Sequence, residues 1–144
     1  MPDQESDLRW LACALDSEGS ISICAGRPSC HARSGWHFGL VLQVANSSES
    51  FSREALRIAG CGRLWKEPGK KGGYKPMFKW QTYGFKAKYV LERVCPYLLV
   101  KREQALLALR FPRLDGVRGR PAGIFQRLAQ AEGWRHMKEM NRGY

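Results

Sequence analysis

Apolar and polar residues alternate with two different periods along this chain, and the switches between them mark its elements. Leu8, Leu11 and Leu15 recur at helical spacing. Ser6 or Asp7 stands where an N-cap belongs, which predicts a first helix to about Asp16. Ser20 to Ala25 then alternates with period two: Ile21, Ile23 and Ala25 face one way, and Ser20, Ser22 and Cys24 the other. Gly26 to Gly35 reads as a loop. A second strand follows over Trp36 to Ala45, with Phe38, Leu40, Leu42 and Val44 on one face and His37, Gly39, Val41 and Gln43 on the other. The two strands form a hairpin with one apolar and one mostly polar face.

The same reading continues downstream. Ser50 to Ala59 is a short helix with Phe51, Leu56 and Ile58 apolar, stopped by Gly60-Cys61-Gly62. Arg63 to Lys66 begins a third strand, Pro68 to Gly73 is a basic turn, and Lys75 to Tyr83 is a fourth strand broken by Gly84. Its parity stays open: either Lys79, Gln81 and Tyr83 or the Trp80 side forms the polar face. Phe85 to Val94 is a helix with Tyr89, Val90, Leu91 and Val94 apolar, ended by Cys95-Pro96. Arg102 to Arg110 is another, stopped at Phe111-Pro112. After a Gly/Arg loop at Asp115 to Arg120, a last helix runs from Pro121 through Glu132 and resumes at Trp134 to Met140. The order is α-β-β-α-β-β-α-α-α. It predicts an α+β fold with a four-stranded antiparallel sheet and helices on one face. All 144 residues are expected in a single domain, a core over about 7–111 and a C-terminal helical extension over about 112–144.

Charge sharpens this picture. Lys and Arg number 24 against 13 Asp and Glu, a net +11, which points to a polyanionic partner. No apolar run reaches the roughly 20 residues of a membrane span. The acidic start Met1 to Asp7 does not resemble a signal or transit peptide. A soluble intracellular protein is expected, and rich use of Ala, Arg and Gly favours a bacterial or phage cytoplasm over an organelle. Five scattered cysteines, without a C-x-x-C pair, fit reduced thiols better than a disulfide framework. Cys24, Cys30 and His31 lack the second ligand pair that a structural zinc site needs.

Where the first helix unwinds, Asp16 and Glu18 stand one residue apart, followed by Gly19, which suits a helix end at positive φ. Leu11, Ala12, Leu15, Asp16, Glu18 and Gly19, with Ser20-Ile21 after them, closely resemble the signature of the LAGLIDADG homing endonucleases. Cys13 stands where that family usually has Gly, and Glu18 where Asp is commonest. The predicted element order matches the αββαββα core of a LAGLIDADG domain, so the resemblance covers most of the chain. A second copy of the motif is missing: Leu107 to Gly116 is broken by Pro112 and lacks the second acid.

The resemblance implies a homodimeric, site-specific double-stranded DNA endonuclease serving the mobility of an intron, intein or free-standing element. It would cut a long pseudo-palindromic site by phosphodiester hydrolysis with Mg²⁺ or Mn²⁺, without a small-molecule cofactor. Glu18 and the Ser17 backbone carbonyl would hold metal. Asp16 would cap the partner's motif helix, with a role as second ligand as its rival. Leu11, Ala12, Cys13, Leu15 and Asp16 would form the dimer interface. By local context Asn46 matches an amide that helps organise catalytic water, with a turn cap as the alternative, and Lys101 matches a lysine that approaches the active site. The polar sheet face and basic residues suit a DNA major groove: Ser22, Cys24, Arg27, Arg33, His37, Val41, Gln43, Arg63, Lys66, Lys79 and Gln81 are the candidate contacts. A non-cleaving nucleic-acid binder on the same fold, a maturase or transcription regulator, is the alternative.

Overall fold

The first helix runs without a turn into the first strand. A computed structural model describes residues 4–26, 37–110 and 124–142. Its elements are α1 (Gln4–Glu18), β1 (Gly19–Gly26), β2 (His37–Asn46), α2 (Glu49–Ala59), β3 (Arg63–Glu67), β4 (Met77–Tyr83), α3 (Phe85–Val94), a 3₁₀ turn (Cys95–Tyr97), α4 (Arg102–Arg110) and α5 (Ile124–Arg142). The expected α+β architecture is present. Four antiparallel strands lie in the order β1-β2-β4-β3.

Alternation fixes what faces the helices. Ile21, Ile23, Leu40, Leu42, Val44 and Trp80 are buried, and they share one core with Leu11 and Leu15 of α1, Ala55 and Ile58 of α2, Val90 and Leu91 of α3, Ala105 of α4 and Met137 of α5. Helices from every part of the chain therefore cover the same side of the sheet. Two polar side chains stitch this layer. Ser52 Oγ donates to the Phe78 carbonyl at 2.8 Å, and the fully buried Trp80 donates from Nε1 to the Cys61 carbonyl at 2.9 Å. Each satisfies a group that would be costly to bury unpaired.

Several sequence expectations change. Helix α1 runs through Glu18, not to Asp16, so both acids sit in its last turn. Gly19 does not have positive φ. Glycine is needed there for space: a Cβ would lie 2.7 Å from Leu15 Cα and 2.9 Å from the Gln43 carbonyl oxygen, both backbone atoms. The parity of β4 is settled, since Trp80 and Thr82 are buried. Tyr89 is exposed, not apolar core. The last helix is continuous across Gly133, because core contacts such as Met137 outweigh the modest cost of one helical glycine. The stop at Phe111-Pro112 and the loop at Asp115 to Arg120 lie outside the described residues, as do positions 27–35 of the hairpin loop. Among the described residues no helix is long and apolar enough to cross a membrane.

Candidate active site

The two ends of the α1 motif turn are tied to one segment 82 to 86 residues away in sequence. The Asp16 carboxylate accepts from the backbone N–H groups of Leu99, Val100 and Lys101 at 2.8, 3.2 and 2.9 Å. It therefore caps the turn that leads into its own chain's α4, beside the positive end of that helix's dipole, which favours a carboxylate. This corrects the expectation that Asp16 caps a partner's helix. With both oxygens engaged in that cap, a role as second metal ligand is not supported either.

Lys101 returns the favour in the opposite direction. Its Nζ donates to the carbonyls of Leu15, Asp16 and Gly19 at 2.8, 3.0 and 2.7 Å. These are the carbonyls left over where α1 ends. Burial pushes the Lys101 pKa below its ordinary 10.5, and the nearby charges of Asp16 and Glu18 oppose that shift. Three carbonyls within hydrogen-bond range use all three protons of the ammonium. The pair forms a reciprocal clamp: an acid from α1 caps α4, and a base from the start of α4 caps α1.

The clamp leaves Glu18 pointing into solvent. Its side chain is exposed, and among the described residues it makes no hydrogen bond or ion pair. The Ser17 carbonyl is not among the three that Lys101 takes. One chain thus offers a hard carboxylate oxygen next to a carbonyl oxygen, the donor type that Mg²⁺ and Ca²⁺ prefer. No group of three His, Cys, Asp or Glu side chains comes together among the described residues. The donors fit such a cation in kind, and one chain does not supply enough of them.

Asn46 ends β2 close in register to this turn, since Val44 pairs with Gly19. Its side-chain oxygen accepts from the Ser48 N–H at 2.8 Å, so it works as a turn cap leading into α2. It also shares the strand face of Leu42 and Val44, which the helices cover. The capping alternative accounts for this residue.

The other sheet face carries rows of side chains across the strands. Ser20, Gln43, Gln81 and Arg63 form one row by register, Ser22, Val41 and Tyr83 the next, and Cys24 lies opposite Gly39 beyond them. On the other side of the first row come Ala45, Lys79 and Trp65. These side chains are half-buried or exposed, so this is an open, mixed polar face. Lys79 is paired with Glu67, whose carboxyl that lysine holds below the usual range.

Lys66 is on the wrong side for this group. It pairs with Phe78 on the helix-covered side and lies 5.9 Å from that ring's centroid. A five-residue strand with Leu64 and Trp65 side by side gives no clean alternation, which is why its parity misleads. Arg27 and Arg33 lie outside the described residues, and of His37 only the backbone register is described, opposite Gly26. Two open-face aromatics were not among the expected contacts: Tyr83, visible only once parity is known, and Trp65. The β3–β4 turn adds exposed Lys70, Lys71, Tyr74 and Lys75, whose run of Lys and Gly was legible as a turn and not as a surface.

The expected interface residues divide as well. Leu11, Ala12 and Leu15 are at most 1% exposed within the single chain, so they have no surface left for a partner. The outward stripe of α1 is Ser6, Arg9, Cys13 and Ser17. The leucines at helical spacing mark the helix's own core face.

No family model matches the sequence, and no curated protein matches it. Solved structures do match. The archaeal intron-encoded homing endonuclease I-Vdi141I, complexed with DNA, superposes with a TM-score of 0.75 over 96% of this chain and 86% of its own, at 15% identity. The chain has the LAGLIDADG homing endonuclease fold. The homing endonuclease I-CvuI, in complex with a DNA target in the presence of 2 mM Mg, shares the LAGLIDADG fold over 94% of this chain and 96% of its own, at 18% identity and a TM-score of 0.66. The meganuclease I-SmaMI, bound to uncleaveable DNA, matches all of this chain with 44% of its own, at 16% identity and a TM-score of 0.58. One chain of the present protein thus corresponds to less than half of that larger LAGLIDADG structure.

Proposed function

We propose that this protein is a site-specific double-stranded DNA endonuclease that acts as a homodimer and hydrolyses phosphodiesters with a divalent metal. The observation that carries the reading is Glu18: an exposed carboxylate held by the Asp16–Lys101 clamp at the end of α1, where the chain passes into the open sheet. Neighbouring structures in complex with DNA on the same fold support duplex DNA as the partner. The described chain reads as one domain, since α5 shares the core of the other helices.

Each chain has its own task in the reaction. The open face lies in the major groove, where Gln43 and Gln81 can read adenine edges and Arg63 guanine. Lys79 exchanges Glu67 for phosphate, and the lysines of the β3–β4 turn pair with the backbone. Glu18 and the Ser17 carbonyl would hold the metal, Mg²⁺ or Mn²⁺, which would neutralise phosphate charge and make water more acidic. Glu18 from each subunit serves one strand. Water adds to phosphorus and gives up a proton to solvent as the bridging P–O bond breaks, and the departing oxygen takes up a proton from solvent.

The dimer forms through the surface α1 leaves free. Cys13 and Ser17 give a small-residue stripe, and Leu99 and Val100, 83% and 49% exposed, flank it beside Asp16. Twofold symmetry then predicts a nearly palindromic target. Incubation with a library of random duplexes and Mg²⁺, followed by sequencing of the cut ends, tests this. Recurrent sites with inverted-repeat symmetry are expected, and recurrent sites without it contradict the homodimer.

A second reading, a DNA binder that does not cut, has one observation in its favour. Lys101 and the Asn46 oxygen are both committed to backbone groups, which leaves Glu18 as the remaining catalytic candidate of the three. Retention of specific binding with no cutting at any divalent metal tested would select it.

A further inference from the structure

Beside the open sheet face, three large aromatic side chains lie exposed in succession. Tyr83 is 58% exposed, Phe85 66% and Tyr89 55%. Tyr83 ends β4 on the open face, opposite Val41. Phe85 starts α3, and Tyr89 follows it one turn later on the same side of that helix. Single exposed aromatics are ordinary, whereas a contiguous row of them marks a binding surface.

The first two help line a notch of about 370 Å³, together with Gly62, Arg63, Gly84 and Lys86. That volume lies at the low end of the range for small-ligand pockets. Cations interleave with the rings: Arg63 and Lys86 line the notch, and the Arg93 guanidinium lies 5.4 Å from the centroid of the Tyr89 ring. The first turn of α3 carries no acid. Gly62, at the edge of the notch, has no room for a side chain, because a Cβ there would lie 2.6 Å from the Gln81 carbonyl oxygen at a φ of 103°.

We propose that this row, from Arg63 and Tyr83 through the notch to Phe85 and Tyr89, is a binding track for single-stranded DNA. Unpaired bases stack on the rings while phosphates meet Arg63 and Lys86. The shape separates single strand from duplex. The row starts on the open face and turns around the rim of the sheet onto α3. A duplex is too stiff to follow that corner, with a persistence length of about 150 bp, and it offers no free base faces along its length. A single strand bends freely and presents them all. The track rests on the reading of the open face as DNA-binding, with which it is continuous. It extends that surface to a substrate form the open face itself does not need.

The test uses the full-length protein and a fluorescently labelled twelve-residue oligothymidylate, followed by anisotropy. Wild type is expected to bind it, and Phe85→Ala, which changes no charge, is expected to weaken binding roughly 5- to 160-fold, the loss of one stacked base. Phe85→Trp is expected to restore it, and Tyr89→Ala to weaken it independently. Oligothymidylate carrying a photoreactive iodouracil is expected to crosslink to Tyr83, Phe85 or Tyr89. Unchanged affinity in both alanine variants, or crosslinks confined to other residues, overturns the track. Tighter binding of oligouridylate than of oligothymidylate overturns its assignment to DNA. Duplex binding, measured alongside, reports on the open face separately, so the two readings fail independently.

Discussion

Gly19 shows how much a single atom constrains this site. Helix α1 passes so close to β2 that the missing Cβ is a structural requirement, and the neighbours it would meet are backbone atoms that cannot swing aside. Gly19→Ala is therefore expected to destabilise the fold by about 1–3 kcal/mol, the usual cost of overpacking, measurable by urea unfolding. Lys101 makes a different prediction. Its folded-state pKa lies below 10.5 because burial disfavours the charged form. Between that lowered value and 10.5 the unfolded chain binds more protons, so stability contributed at this site rises with pH across the window. Below the window the cost of burying the charge is fully present, and above it the cost is gone. Unfolding curves of wild type and Lys101→Met should run parallel at neutral pH and diverge in favour of wild type as pH climbs towards 10.5. Parallel curves throughout would show that Lys101 keeps an ordinary pKa.

At the scale of elements, the open sheet face separates cations that look alike in sequence. Arg63 shares a row with Gln81 and Gln43, whereas Lys66, three residues on, pairs with Phe78 beneath the sheet. Arg63→Ala is expected to weaken duplex binding by about 1–3 kcal/mol and to relax the preference for guanine at one position of the site. Lys66→Ala should leave both close to wild type. Equal effects from the two would place DNA elsewhere. The first hairpin was legible in the sequence because Ile21, Ile23, Leu40, Leu42 and Val44 alternate cleanly with small or polar residues. Strand β3 was not, since five residues with adjacent Leu64 and Trp65 carry too little pattern to fix parity. The chemistry of the motif turn was legible in part. Glu18 stood out, but the partners of Asp16 lie more than 80 residues downstream, and no local pattern announces a cap that forms only in the tertiary fold. For the same reason Leu11 and Leu15 suggested an interface when they serve the core.

The whole molecule presents one motif helix and one Glu18, so cutting both strands calls for a second copy. In the proposed homodimer that copy would dock on the outward stripe of α1 with Leu99 and Val100. Val100→Asp is expected to leave the folded chain intact, because that side chain is 49% exposed, and to shift it from dimer to monomer in sedimentation. Mild oxidation offers a check on the same geometry. If the two α1 helices cross near Cys13, a covalent dimer forms that Cys13→Ser prevents while the exposed Cys24 remains. An unchanged dimer in Val100→Asp, with no crosslink through Cys13, would move the interface away from α1. The measurement that bears most directly on the function is cleavage and binding of a selected duplex by Glu18→Gln with Mg²⁺ present. Cutting should fall by more than the roughly 10–100-fold that losing a residue behind a metal ligand costs, while affinity for the duplex stays within a few-fold of wild type. Cutting by Glu18→Gln at the wild-type rate would contradict the assignment of Glu18 as the catalytic carboxylate.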